Sequence, residues 1–287
     1  MTKAGDDASW SDYESQVEAW GGRVRANNAQ VERLGERDDG SDFYAPIAMA
    51  FRADPTREDD PSLNALLALA QPGETWLDVG AGGGRFALGL ARRVRRMLAV
   101  EPSEGMRAVL EEVRSEHGIE NVDLIAERWP LPSTSERPVA ADIVLITHVG
   151  YDIEAIGPFL EALEEAARRL CVALLMERAP GAAFAGLWQA VHGESFLPLP
   201  ALPEFVALLE ARGRAPDVRA VGERVWGFDS WEDAIEGARR RLWLRQRSTK
   251  EHLLLQLLND HVTPRDDGGY DLRGAPDRIA LVTWEPH

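Results

Sequence analysis

The sequence predicts an α/β protein: a doubly wound, mostly parallel sheet of seven strands whose C-terminal strand runs antiparallel. Three observations carry this. From Thr75 onward short apolar runs alternate with helical periodicities: TWLDVG, RFALGLARRVRRM, MLAVEP, SEGMRAVLEEVRSEHG, NVDLIAE, ADIVLITHV, IGPFLEALEEAARRL and CVALLMER. Such alternation with short connections makes parallel strand–helix–strand units with helices on both faces. The runs IVLITHV and VALLM are almost wholly apolar, as strands buried on both faces are. The chain closes on PDVRAVGERV and DRIALVTWEP, a last pair of strands separated by a helical insertion.

The elements follow in order. Residues 1–60 read as a helical N-terminal cover, with Trp10, Tyr13, Val17, Trp20 and Val24 at helical spacings over one or two amphipathic helices. FYAPIAMAFRADP is an apolar patch closed by Asp54 and Pro55. PSLNALLALAQPG is a helix with Pro61 at its start, Leu63, Leu66, Leu67 and Ala70 on one face, and Pro72-Gly73 as its stop. Phe86, Leu90 and Val94 mark a helix after the first strand, and Gly118 ends the next one. Residues 61–287 thus form the sheet domain, with insertions at about 180–200 and 228–262. The first insertion, PGAAFAGLWQAVHGESFLPLP, reads as a lid or an irregular buttress. The second reads as two helical pieces.

Composition narrows the function. The net charge is −16, which disfavours nucleic acid as a partner, since such binders need cations to displace counterions. The one basic cluster is Arg239, Arg240, Arg241, Arg245 and Arg247; only two of the 32 basic residues are lysine, Lys3 and Lys250. No stretch approaches the ~20 apolar residues of a membrane span. The acidic N-terminus is no secretory signal, so a cytoplasmic location is expected. The single cysteine, Cys171, sits in an apolar run and reads as a buried hydrophobe. No metal site is expected. Glu58, Asp59 and Asp60 before Pro61 read as a solvated helix start. The expected assembly is a monomer or homodimer.

Residues 76–84, WLDVGAGGG, form the first strand and its turn. In an open α/β sheet this end of the strands is the ligand site. A dinucleotide fingerprint wants a third glycine at position 85, where this chain has Arg85. A phosphate-binding loop wants a lysine, and none is there.

LDVGAGGG resembles the first motif of the class I (Rossmann-like) S-adenosylmethionine-dependent methyltransferases. MLAVEPSEGM is similar to the family's second strand, AERWPLP to its adenine segment, and ADIVLITHVGYD to its fourth strand and following loop. The resemblance covers roughly residues 61–178 and is nearest to bacterial small-molecule-type members. It implies S-adenosyl-L-methionine as cofactor and S-adenosyl-L-homocysteine as product. It implies that Asp78, Gly80, Ala81, Gly82, Gly84, Glu101, Pro102, Met106, Glu127, Arg128 and Thr147 bind the cofactor, with Glu101 on the ribose and Glu127 and Arg128 near adenine. This chain departs from the family in carrying Glu127 where aspartate is commoner, followed by the large Arg128 and Trp129. The chemistry agrees. Glu101, 21 residues after Gly80, can accept two hydrogen bonds from a diol. Asp78 can orient an ammonium group, and the glycines let backbone approach the ligand.

Methyl transfer chiefly needs an acceptor held in line and water excluded. An oxygen or nitrogen acceptor adds a general base. His148, after ADIVLIT, is the candidate, with Tyr151 beside it as a second catalytic candidate and Asp152 next; a structural histidine is the competing reading. His192 lies in the possible lid with Trp188 and Phe196. His117, His252, His261 and His287 lack metal spacing. Tyr13, Trp20, Phe43, Tyr44, Phe51, Trp188 and Phe196 lie outside the sheet segments; as a cover they suit a small, partly apolar acceptor. As glue they would only hold helices to the core. The alternatives are a non-catalytic or regulatory S-adenosylmethionine-binding protein, a methyltransferase acting on protein or RNA, and a nicotinamide oxidoreductase, which Arg85 disfavours.

Overall fold

The computed structural model describes residues 3–36, 45–132, 139–274 and 276–286. Phe43, Tyr44 and His287, and the side chain of Trp10, lie outside what is described. The strands are β1 (Thr75–Val79), β2 (Arg96–Val100), β3 (Val122–Ile125), β4 (Ala141–Thr147), β5 (Ala167–Met176), β6 (Asp217–Arg224), β7 (Gly227–Phe228), β8 (Val262–Pro264), β9 (Tyr270–Leu272) and β10 (Asp277–Trp284). The helices are α1 (Lys3–Leu34), α2 (Pro61–Leu67), α3 (Ala87–Ala91), α4 (Glu104–Glu116), α5 (Ile156–Ala166), α6 (Ala185–His192), α7 (Leu202–Ala211), α8 (Trp231–Arg241) and α9 (Thr249–His261).

Among the described residues, seven strands pair in the order β3-β2-β1-β4-β5-β10-β6. β1 to β5 are mutually parallel, and β10 runs antiparallel to both β5 and β6. The strand order reverses between β1 and β4, so the crevice beyond their carboxyl ends is where ligands bind in such sheets. β6 runs with the parallel set, and Arg224 at its end pairs in register with Asp277 at the start of β10. The core lies on both faces of β1 and β4, whose apolar residues are buried.

Local chemistry sets the helix starts that frame the crevice. Asp60 caps α2, accepting from Ser62 N and Leu63 N, with Pro61 as the first helical residue. The Ser103 hydroxyl caps α4 at Met106 N, and Met106, Val109, Leu110 and Val113 form its buried face.

The structure refines the sequence-based expectations, and where two readings stood open it selects one. The N-terminal region is one helix of 32 residues, packed on α5 and α7 rather than over the crevice. Trp20 Nε1 donates to Ile153 O (3.0 Å), and Tyr13 Oη accepts from Arg212 (3.1 Å). These two aromatics are glue. The helix after β1 spans only Ala87–Ala91, because Arg95 N and Arg96 N donate to Glu74 O and draw the chain into β2. α5 stops at Ala166, and residues expected to extend it, through Leu170, open β5. Residues 180–200 are a buttress. A 3-10 turn (Pro180–Phe184) and α6 lead into an extended segment that α1 holds through Asn27 to Leu197 O (2.6 Å) and Gln30 to Ser195 O (2.8 Å).

The insertion between β6 and β10 is larger than the two expected helices. It adds the sheet β7-β9-β8. With α6 it encloses a second core of Leu187, Val191, Ala234, Ala238, Leu242, Leu254 and Leu258. The turn signal PRDDGG was present: Asp267 Oδ1 accepts from Gly269 N at 2.9 Å and closes the β8–β9 hairpin. No helix among the described residues is long and apolar enough to cross a membrane.

Candidate functional site

The glycine turn has its backbone bonds already committed. Gly80 N and Ala81 N donate to Val100 O (2.8 and 3.1 Å), Gly82 N to Glu101 Oε2 (2.8 Å) and Gly84 N to Ala81 O (3.0 Å). Those amides cannot cradle a pyrophosphate as a dinucleotide loop does. Gly80 and Gly82 sit at φ of 77° and 56°, where a side chain is strained. A Cβ on Gly80 would come within 2.6 Å of Val149, so Gly80 is required by packing. A Cβ on Gly82 would meet only Met106 Sδ, at 4.0 Å. Gly82 therefore faces a space that a side chain would fill. The N-terminal region does reach this turn through the segment Ala45–Phe51: a Cβ on Gly83 would lie 3.0 Å from Phe51 O.

Two carboxylates stand behind the turn. Glu101 is buried; Oε2 accepts from Gly82 N and Oε1 from Ser103 N (2.8 Å). It both caps the approach to α4 and braces the loop. Asp78 is fully buried, and neither of its oxygens has a hydrogen-bond partner. Burial, with the charge of Glu101 adding to it, pushes its carboxyl up to about 7. A buried carboxyl without donors is costly, so the site lacks the cation or donors that would satisfy it. An amino-acid ammonium, a ribose diol and a backbone approach at Gly82 fit this donor set, and a phosphate does not.

Arg85 binds Asp60 Oδ2 at 2.8 Å, and Asp60 also takes Arg57 Nε at 3.0 Å. The position where a dinucleotide fold wants glycine is thus an anchor between the turn and α2. Asp60 is buried, which corrects its reading as part of a solvated helix start.

His148 follows β4 at a left-handed φ of 56°, a conformation that costs a non-glycine residue energy and clusters at functional sites. Its N donates to Leu174 O (2.8 Å), which fixes the backbone, while the ring Nδ1 is buried without a hydrogen-bond partner. Burial lowers its pKa to about 4, with the charges of Arg224 and Arg85 adding to the effect. The imidazole is neutral at pH 7. Tyr151, the second catalytic candidate, has its hydroxyl engaged by the backbone. Its buried hydroxyl accepts from Met176 N at 2.7 Å, and burial raises its pKa, so it braces the β4 loop against β5.

The remaining predicted residues surround the same crevice. Ala81 and Met106 are buried, Thr147 is half-buried at the end of β4, and Pro102 is exposed at the end of β2. Glu127 and Arg128 lie exposed past the end of β3, and Trp129 after them packs on the core with its Nε1 buried and unpartnered. Three other histidines have hydrogen-bond partners away from the crevice residues. His192 sits between Leu242 O (2.9 Å) and Lys250 Nζ (3.1 Å), and His252 and His261 bond carbonyls of their own helix. Arg224 is a neighbour of His148 that sequence reasoning missed. Nothing in the string GERV distinguishes it from any solvated strand end.

A mostly parallel sheet, a committed glycine turn and two carboxylates behind it together define a Rossmann-like methyltransferase fold. Residues 77–171 match the family model described as a methyltransferase domain. Over these residues the chain carries a methyltransferase domain. The fold is shared with a candidate methyltransferase of Bacillus halodurans (14% identity, TM-score 0.55, 80% of this chain and 99% of that one). It is shared also with the YcgJ protein of Bacillus subtilis (16% identity, TM-score 0.51, 78% and 97%). No curated protein matches the sequence significantly.

Proposed function

We propose that the protein methylates a small-molecule acceptor held beside His148. The observation that carries this is His148 itself: a strained, neutral imidazole with an unpartnered Nδ1 at the end of β4, next to the glycine turn. When bound, S-adenosylmethionine supplies a methyl carbon already activated by its sulfonium. Asp78 accepts from the amino-acid ammonium, and Glu101 accepts from the ribose hydroxyls. Gly80 and Gly82 let the backbone pack close, and Ala81, Gly84, Pro102, Met106 and Thr147 flank the ligand. Glu127 and Arg128 lie on the adenine side, where the indole of Trp129 adds a donor. His148 Nδ1 has the lone pair to receive the proton that an oxygen or nitrogen acceptor gives up.

Two features support a small acceptor over a macromolecule. The arginines of the basic cluster are largely committed internally: Arg239 to Glu236 and Glu251, with Arg240 buried and Arg241 over Trp226. A cavity of about 270 Å³ lies beyond the carboxyl ends of β5 and β6, on the same edge of the sheet.

Calorimetric titration with S-adenosylmethionine, S-adenosylhomocysteine and NAD tests the cofactor assignments. Micromolar binding of the first two, weakened at least about tenfold by Glu101→Ala, is expected. A preference for NAD would overturn the reading. Transfer of a labelled methyl group into the small-molecule fraction of a cell extract is then expected; recovery in protein or RNA alone would refute the acceptor class.

A further inference from the structure

Beyond the carboxyl ends of β5 and β6 lies the cavity of about 270 Å³, lined by Arg178, Arg224, Arg273, Trp226 and small or apolar residues. No acidic residue lines it, and three arginines converge there in a chain of net charge −16. Two of its walls are fixed by one buried group. Asp277, fully enclosed, accepts from Arg178 Nε at 2.6 Å and from Trp226 Nε1 at 2.9 Å. Arg273 is held by its Nε on Val262 O (2.8 Å). Arg224 differs from these. It emerges from the end of β6 with its guanidinium 4.3 Å from the Trp226 ring centroid, and no carboxylate lies within ion-pairing distance among the described residues. The crowding of Arg224 by protein and the nearby charge of Arg85 disfavour its charged form and outweigh the favourable charge of Asp277; an arriving anion would add to the favourable side.

The cavity lies on the same edge of the sheet as the proposed transfer point, because Arg224 ends β6 and His148 follows β4. Arg224 perturbs His148, and its strand lies across β10 from β5, whose Leu174 carbonyl fixes His148. Solvated charges more than ~10 Å apart barely sense one another. The guanidinium fork matches a carboxylate or phosphate, and the indole beneath it offers an apolar face.

We propose that this cavity binds an anionic oxygen group of the methyl acceptor, a carboxylate or a phosphate, with Arg224 as its principal partner and Arg178 and Arg273 beside it. The inference rests on the methyltransferase reading and names the acceptor class: a small acid whose anion anchors on the β5–β6 side while the methylated atom lies at His148. The volume suits a single ring carrying its acid group.

The test uses the whole protein with saturating S-adenosylhomocysteine. Benzoate and phenyl phosphate are titrated calorimetrically, with benzamide as the neutral control. At least one anion is expected to bind about tenfold or more tighter than benzamide, and Arg224→Gln is expected to erase that preference. Which anion wins identifies the group. Arg273→Gln, also in the lining, is expected to weaken the same probe about threefold. Arg224 makes no ion pair among the described residues and lies outside the glycine turn and its two carboxylates, so the variant's S-adenosylhomocysteine affinity and thermal midpoint should match the parent's. Equal binding of all three probes, or anion binding unchanged by Arg224→Gln, overturns the inference while cofactor binding keeps the methyltransferase reading. Absence of S-adenosylhomocysteine binding to the parent protein overturns both.

Discussion

Asp78 and His148 have shifts of opposite consequence. The Asp78 carboxyl rises from 3.8 to about 7 on folding. The stability this contributes is complete below pH 4 and is lost as pH rises through 7. Asp78→Asn removes the penalty, so the cofactor-free protein should be stabilised at pH 8 by about 2–4 kcal/mol and little at pH 4. Scanning calorimetry at the two pH values checks this; equal stabilisation at both would refute it. The same variant should lose cofactor affinity, and the parent's affinity should strengthen as pH rises through 7 and the carboxylate forms. His148 is depressed from 6.5 to about 4. Its contribution is complete above 6.5 and lost as pH falls through 4. His148→Asn keeps a residue tolerant of a left-handed φ. It should cut kcat about 100-fold and leave S-adenosylhomocysteine affinity within about twofold, since the ring is proposed to act on the acceptor and not on the cofactor. An unchanged kcat would remove His148 from the mechanism. Both positions were legible as residues: LDVG and ITHV each end a strand at the binding edge. Their protonation states were not, because those follow from what else is packed around them.

Between elements, one buried carboxylate ties three segments. Glu164 on α5 accepts from Arg212 (2.9 Å) and Arg214 (2.7 and 2.8 Å) beyond α7, and from Trp284 Nε1 on β10 (3.2 Å). Burial pushes its carboxyl up, but the hydrogen bonds from the two arginines outweigh it and hold it below the ordinary range. Its contribution is therefore present at neutral pH and fails as pH falls below the usual glutamate range. Glu164→Gln leaves two arginines facing a neutral amide and should cost about 3 kcal/mol in urea unfolding at pH 7. A loss no larger than that of a surface substitution would show the cluster to be idle. In the string LEEAARRL, Glu164 looks like one more solvated helix position. The same string also hides the junction where α5 passes into β5 at Ala167 without a loop. Helical periodicity extends through Leu170, but pairing of Ile143 with Leu170 wins, because a strand between two neighbours gains ladder bonds and burial together.

For the molecule as a whole, two cores imply two degrees of local stability. Leu254 and Leu258 are buried in the core of the insertion and α6, apart from the sheet. Leu254→Ala should cost that core about 2–4 kcal/mol. Amide exchange should quicken across α8 and α9 while β1, β2 and β4 stay protected and S-adenosylhomocysteine binding is kept. Uniform acceleration over the sheet would mean that the two cores unfold as one. The sequence by itself determined the strand–helix alternation, the seven-stranded sheet and the glycine turn with its acids, because periodicity, burial pattern and turn chemistry are local properties. Only the tertiary structure decided which charges are buried and which are partnered. Asp60, Glu164 and Asp277 became enclosed hubs, and Arg224, whose charge reaches His148, makes no ion pair among the described residues. Those outcomes depend on segments distant in the chain meeting at one edge of the sheet, and a charged side chain carries no local signal of what will be brought to it.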